Sequence, residues 1–316
     1  MEIVFLEKGS LGNDLDLSYF SELGHVTFYE LTKPEEVPER IRDADVIIVN
    51  KIPMNEATLS GASHLKLVAF TATGMNNIDF DYTNSHGIQV KNVAGYSTNA
   101  VAQHTFALLF YVLHRLAYYD NYVKSGAYCT NPGFSHFDEK FSELDGKTWG
   151  IVGMGAIGQR VASIAEAFGC HVIYYSTSGR NTDQPYERVD FEELLKRSDV
   201  ISLHAPLNPD TEGIMNREAF RKMKKSAFLV NVARGGLVVE QDLADALNSG
   251  KVAFAGLDVV STEPIRADNP LLTVKNCIIT PHMSWGSQGS RQRIMDCTVN
   301  NIRAFLSGAP ENVVNP

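Results

Sequence analysis

The stretch that decides the fold is Gly150-Ile151-Val152-Gly153-Met154-Gly155-Ala156-Ile157-Gly158, with a helical pattern running from Ala156 to Phe168. It matches Gly-x-Gly-x-x-Gly directly after a strand-like apolar run and at the opening of a helix, the context that a dinucleotide loop requires. Gly153 would make the tight turn and Gly155 would let the backbone approach a pyrophosphate. Gly158 would let helix and strand pack closely, with the N–H groups of Ala156, Ile157 and Gly158 facing the anion. Working outward, strands are predicted at Trp149–Val152, His171–Tyr175, Val200–Leu203, Phe228–Asn231, Phe254–Leu257 and Ile278–Thr280. Helices are predicted near Phe191–Lys196, Arg217–Met223 and Glu240–Ser249, so strand and helix alternate as in a doubly wound parallel sheet. Upstream, Ile3–Leu6, Val46–Val49 and Leu67–Phe70 form a first β series, and their apolar runs suit strands covered on both faces. A long helix is predicted over Ala100–Leu116, then an irregular arm from Tyr118 to Phe141 rich in Tyr, Phe, Gly and Pro. Such an arm either wraps its own core or packs on a second subunit. Ser290–Leu306 reads as a last helix. Two α/β domains are therefore expected.

Composition agrees with that class. The 316 residues carry a net charge of −9 and a sequence pI near 5.5, with 44% hydrophobic and 21% charged residues. An acidic chain lacks the basic face that nucleic acid or an anionic membrane demands. The most apolar long stretch, Val93 to Leu113, is interrupted by Asn99, Gln103 and His104 and is too polar to span a bilayer. The first residues place an acid at Glu2 and show no long apolar run, unlike a signal peptide, so a cytoplasmic location is expected. Cys129, Cys170, Cys277 and Cys297 are widely spaced, and no His or Cys cluster has metal-ligand spacing.

An acid is expected about 20 residues beyond the glycine loop to bind a ribose 2′-hydroxyl. The chain instead reads Tyr174-Tyr175-Ser176-Thr177-Ser178-Gly179-Arg180. Hydroxyls at Ser176 and Ser178 and the Arg180 guanidinium suit a 2′-phosphate, so acceptance of NADP beside NAD is expected. Three further polar residues fall where strands should end, at the sheet edge where open α/β folds bind ligands. Arg234 lies in Asn231-Val232-Ala233-Arg234-Gly235-Gly236, Glu263 in Asp258-Val259-Val260-Ser261-Thr262-Glu263-Pro264, and His282 in Thr280-Pro281-His282-Met283-Ser284-Trp285.

Each of these sits in a flanking motif that resembles the D-isomer-specific 2-hydroxyacid dehydrogenase family. The resemblance also covers Thr71-Ala72-Thr73-Gly74-Met75-Asn76-Asn77-Ile78-Asp79, Ser202-Leu203-His204-Ala205-Pro206-Leu207 and the tail Pro310-Glu311-Asn312-Val313-Val314. It implies a flavodoxin-like substrate domain made discontinuously from residues 1–98 and 285–316, and a Rossmann dinucleotide domain over 99–284. It implies reduction of a small 2-keto acid to a D-2-hydroxy acid with NAD(P), and a homodimer formed through Tyr118–Phe141. His282 would give its proton to the developing alkoxide, Glu263 would hold the other ring nitrogen, and Arg234 would bind the substrate carboxylate. Backbone N–H groups at Thr73, Gly74 and Met75 would add carboxylate donors. Asp258 would orient the nicotinamide carboxamide, Asn231, Val232 and Ala233 would line the cofactor site, and His204, Ala205 and Pro206 its adenine side.

Gln103 stands where that family usually has Glu, Ser284 where glycine often follows the His motif, and Ser176 where Asp is usual. Trp285 as a substrate contact, with Asn50 and Lys51, resembles the glycerate dehydrogenase (hydroxypyruvate reductase) branch. The alternatives are a broad or aromatic 2-keto acid reductase and, in another class, a dinucleotide-sensing co-repressor-like binding protein.

Overall fold

A computed structural model describes residues 1–75 and 77–315; Asn76, within the Thr71–Asp79 motif, lies outside the described residues. The chain divides into two compact units, Met1–Ser97 with Gly286–Pro316, and Thr98–Trp285.

The first unit holds β1 (Glu2–Phe5), β2 (His25–Phe28), β3 (Val46–Val49), β4 (Leu67–Phe70) and β5 (Gln89–Lys91), with the short helices α1 (Val37–Arg40), α2 (Glu56–Leu59) and α3 (Phe80–Ser85) between them. All pairs are parallel in the order β2-β1-β3-β4-β5. That is the flavodoxin-like winding. Every residue of β3 and β4 is buried, which explains their unbroken apolar runs. The sequence reading passed over β2, whose residues are all at least partly exposed, and β5, which ends in a lysine.

That lysine, Lys91, is wholly buried. Its ammonium donates to the carbonyls of Ala309 (3.0 Å) and Glu311 (2.7 Å). Burial pushes it below the usual lysine range, against the pull of the Glu311 carboxylate. The tail completes the edge: Lys91 bridges Val313 antiparallel, and Val314 N–H donates to the Val90 carbonyl at 3.0 Å. Asn315 Oδ1 accepts from Val90 N–H (2.6 Å) while its amide donates to the Ile88 carbonyl (2.9 Å).

The second unit starts with α4 (Thr98–Leu113) and α5 (Leu116–Lys124). Seven parallel strands follow: β6 (Thr148–Val152), β7 (His171–Tyr175), β8 (Glu187–Arg188), β9 (Val200–Leu203), β10 (Phe228–Asn231), β11 (Phe254–Leu257) and β12 (Cys277–Ile279). Their order is β12-β11-β10-β9-β6-β7-β8. Winding runs outward from β6 both ways, as in a Rossmann sheet, so the switch point lies between β6 and β9. Crossovers carry α6 (Ala156–Ala167), α7 (Phe191–Arg197), α8 (Arg217–Lys222) and α9 (Glu240–Asn248); α10 (Gln288–Ser307) belongs to the first unit and packs on β4. Alternate side chains of β6 feed opposite faces. Trp149 and Ile151 join the core with α4 and α6, and Val152 joins the core with α7, α8 and α9.

The single long helix expected over 100–116 is two helices. Arg115 adopts the left-handed conformation (φ 55°), and its guanidinium stacks 3.8 Å from the Phe254 ring centroid. The arm expected to be irregular is helical through Tyr118, Tyr119 and Tyr122 on α5. Tyr122 stacks on His136 at 3.7 Å, and Tyr118 Oη lies 2.7 Å from His136 Nε2.

Lys91 yields a two-step test by thermal melting. Removing residues 309–316 strips both carbonyls from a buried cation and is expected to destabilise the chain by about 3 kcal/mol or more. In that shortened chain Lys91→Met should raise the melting temperature, because methionine fills the space without a charge.

Candidate active site

The glycine loop forms as the sequence requires. Gly153 has φ 94°, and a Cβ there would stand 2.6 Å from Ala205 N, so only glycine lets the loop pass the β9 exit. A Cβ on Gly158 would stand 2.2 Å from the Gly153 carbonyl oxygen. Around Gly155, by contrast, nothing lies within 4 Å of the Cβ position. Gly155 is also the N-cap of α6 and supplies no side-chain cap, leaving the first-turn N–H groups of Ala156, Ile157 and Gly158 for an anion. An open space in front of a bare helix N-terminus at the switch point fits a dinucleotide pyrophosphate.

His204 lies at the same switch point. Trp149 Nε1–H donates to Ser202 Oγ (2.8 Å), and Ser202 Oγ lies 3.0 Å from His204 Nε2. His204 Nδ1 is buried without a partner among the described residues, and burial pushes the imidazole down to about 3, so the ring is neutral at working pH. Ala205 is buried and Pro206 exposed. On the ribose side Ser176 is buried, and its hydroxyl donates to the Arg180 carbonyl, closing the 176–180 turn. Ser178 and Arg180 are exposed, and Ser178 Oγ accepts from Arg180 N–H (3.2 Å).

β10, β11 and β12 are neighbours in register, with Asn231 opposite Leu257 and Leu257 opposite Ile279. Their carboxyl ends therefore present three loops side by side. After β10, Asn231 Oδ1 accepts from Ala233 N–H (3.0 Å) and its amide donates to the Arg234 carbonyl (2.9 Å), which fixes a tight turn beside buried Val232. Arg234 emerges exposed, with one guanidinium bond to the Ala233 carbonyl (2.7 Å) and no carboxylate partner among the described residues. A Cβ on the next residue, Gly235, would stand 1.9 Å from the Val260 carbonyl carbon, so glycine brings this turn against the loop after β11.

That second loop ends at Glu263, whose Oε2 lies 2.7 Å from His282 Nδ1. His282 Nε2 has no hydrogen-bond partner among the described residues, and the His282 and Glu263 side chains are 27% and 38% exposed. A carboxylate holding one ring nitrogen fixes the imidazole's orientation and leaves the other nitrogen for proton transfer. Asp258 is wholly buried, and its carboxylate already accepts from the Thr280 hydroxyl (2.6 Å), Met283 N–H (2.9 Å) and Ser284 N–H (2.8 Å). Asp258, expected at the nicotinamide, anchors the loop that carries His282.

Trp285 is partly buried, packed against the core of α4, α6 and β6. Thr73, Gly74 and Met75 follow β4 in the first unit, where Thr73 Oγ1 donates to the Val93 carbonyl (2.8 Å) and Asn92 donates to the Thr73 carbonyl (3.2 Å). Asn50 and Lys51 follow β3, and both their N–H groups donate to Glu7 Oε2 at 2.8 Å. Sequence reasoning assigned no role to Thr280 or His104. The signal for His104 was its place among Val101, Thr105 and Leu108 on the buried face of α4.

The chain is similar to known proteins along its length. Residues 106–284 match the family model described as D-isomer specific 2-hydroxyacid dehydrogenase, NAD binding domain. A hydroxypyruvate reductase of Blautia hydrogenotrophica is 46% identical over the whole of both chains. A glycerate dehydrogenase of Methylorubrum extorquens is 39% identical over 99% of this chain and 98% of its own. The crystal structure of a D-lactate dehydrogenase from Aquifex aeolicus complexed with NAD and lactic acid superposes with a TM-score of 0.84 at 31% identity, over 99% of each chain.

Two glycine variants separate folding from cofactor binding. Gly155→Ala should melt like the unsubstituted chain yet bind NADH at least about tenfold more weakly by fluorescence titration, since its methyl fills the pyrophosphate space. Gly158→Ala should lower the melting temperature itself.

Proposed function

Because the chain belongs to the D-isomer-specific 2-hydroxyacid dehydrogenase family, an NAD(P)-dependent class of oxidoreductases acting on CH–OH donors, we propose that it interconverts hydroxypyruvate, or a closely related small keto acid, and the D-2-hydroxy acid. The observation that carries this reading is the 2.7 Å pairing of Glu263 with His282 beside an Arg234 that has no carboxylate partner among the described residues. The choice of hydroxypyruvate rests on the hydroxypyruvate reductase and glycerate dehydrogenase relatives, each covered over at least 98% of its length.

Bound nicotinamide supplies the hydride in reduction and accepts it in oxidation. The chain's own residues handle the charge. His282 Nε2–H gives its proton to the oxygen of the reduced carbonyl, and in reverse Nε2 takes it from the hydroxyl. Glu263 holds Nδ1, so the ring turns its reactive nitrogen outward and the imidazolium has a counter-charge. Arg234 is a planar, permanently charged donor suited to a carboxylate, and its unpaired N–H groups bind that end of the substrate. Ala156, Ile157 and Gly158 hold the pyrophosphate, while Asn231 shapes the turn that presents Arg234.

NADP acceptance is part of the proposal. No acid stands at position 176, and the exposed Arg180 has no carboxylate partner among the described residues. The exposed aromatics of the arm, Phe134 at 93% and Phe137 at 73%, support a homodimer through the region 118–141. No helix among the described residues is long and apolar enough to cross a membrane.

Initial rates with hydroxypyruvate, glyoxylate, pyruvate and phenylpyruvate test the substrate, and hydroxypyruvate should give the highest kcat/KM. His282→Ala should reduce kcat by about 10²–10⁴-fold, and Arg234→Ala should chiefly raise KM for the keto acid. Preference for phenylpyruvate would indicate an aromatic keto acid reductase, and cofactor binding without turnover a sensor. With cofactors compared, Arg180→Ala should raise KM for NADPH by about tenfold and leave KM for NADH nearly unchanged.

A further inference from the structure

The Asp258 carboxylate is the inner end of a hydrogen-bond chain that begins on α4. His104 Nε2 lies 3.0 Å from Thr280 Oγ1, which lies 2.6 Å from Asp258 Oδ1. An ionised carboxylate can only accept, so the Thr280 hydroxyl proton points to Asp258. The Thr280 oxygen is then the acceptor on its other side, and the proton between it and the imidazole belongs to His104 Nε2. That nitrogen also stands 3.5 Å from Asp258 Oδ1 itself.

The helix is brought this close by a glycine. A Cβ on Gly256 of β11 would stand 3.0 Å from Leu108 Cβ, and Leu108 lies one turn beyond His104 on the same face. At the other end of the chain, the 280–284 loop is held at almost every residue. His282 N–H donates to the carbonyls of Asp258 (2.8 Å) and Thr280 (3.0 Å), while Met283 and Ser284 donate to the Asp258 carboxylate. His282 itself has φ 52°, in the left-handed region that only a few per cent of residues other than glycine adopt.

We propose that His104 is a positioning residue for His282. Its Nε2–H orients the Thr280 hydroxyl onto Asp258, which fixes the loop in the conformation that sets the His282 ring against Glu263. The contacts of His104 run to Thr280 and Asp258, so it acts on His282 through the loop. The inference rests on the reading of His282 as the proton donor.

Four variants of the full chain test it. His104→Met and Thr280→Val remove the donor and the link at similar volume; His104→Gln and Thr280→Ser retain them. With hydroxypyruvate and NADH, each of the first pair should lower kcat by about tenfold to a hundredfold, the cost of a small misplacement of a reacting group. The double variant should be no worse than the worse single one, because both break one chain. The second pair should restore most of the turnover. The NADH dissociation constant should stay within about threefold throughout, as expected of a residue that does not serve the cofactor. In ¹⁵N-histidine spectra the His282 signals, identified by their loss in His282→Gln, should shift in His104→Met and return in His104→Gln. Losses that multiply in the double variant, unshifted His282 signals, or a weakening of NADH binding that matches the fall in kcat would overturn the proposal. The spectra need no turnover, so a chain inactive on every keto acid would sink the functional reading and still decide this one.

Discussion

A carboxylate that solvent never reaches must take its hydrogen bonds from the protein, and the site is organised around one such group. Asp258 stands at the end of β11 with no exposed surface. Left unpaired, a buried charge costs several kcal/mol, a large part of a domain's net stability. The donors that meet the requirement come from the loop after β12: one hydroxyl and two N–H groups. A loop with three attachments to one side chain has little freedom left. His282 inherits a fixed direction, and its left-handed backbone is held by the same bonds that satisfy the charge.

This separates anchoring from chemistry. Asp258, Asn231 and the glycines at 153, 158 and 235 are buried or pressed against backbone, and each fixes the path of a loop. Arg234, Glu263 and His282 are exposed or partly so. The arrangement follows from parallel winding. Strands that end side by side deliver neighbouring loops without any contact between residues adjacent in sequence, and reacting groups can be held rigidly while remaining accessible.

How much of this was legible depended on burial and on distance along the chain. β3, β4, β7, β9, β10 and β11 were read at their observed residues, because β3 and β4, buried at every position, are unbroken apolar runs and the other four are apolar at most positions. β2, β5 and β8 were missed. β2 and β8 are not fully buried, and β5 ends in a lysine whose charge is met by a tail more than two hundred residues away. The break after Leu113 has no Gly or Pro to mark it; Arg115 adopts a left-handed turn held by the Phe254 ring, which no local pattern shows. Glu263 and His282 could be joined from their motifs and stand 2.7 Å apart. Ser176 was read by type alone, and its hydroxyl serves its own turn.

His104 shows the same limit most sharply. On a helix wheel it is a polar residue on an apolar face, which sequence alone leaves open between a core histidine and a working one. Its meaning comes from Gly256, which admits α4 to the sheet, and from Thr280, which converts a donor on a helix into a constraint on a loop. Neither is near residue 104 in sequence, and neither is unusual by itself. A buried polar side chain on an amphipathic helix therefore calls for a question about acceptors. Here the nearest acceptor is a hydroxyl already committed to a carboxylate, and that commitment makes the histidine part of the site and not of the core.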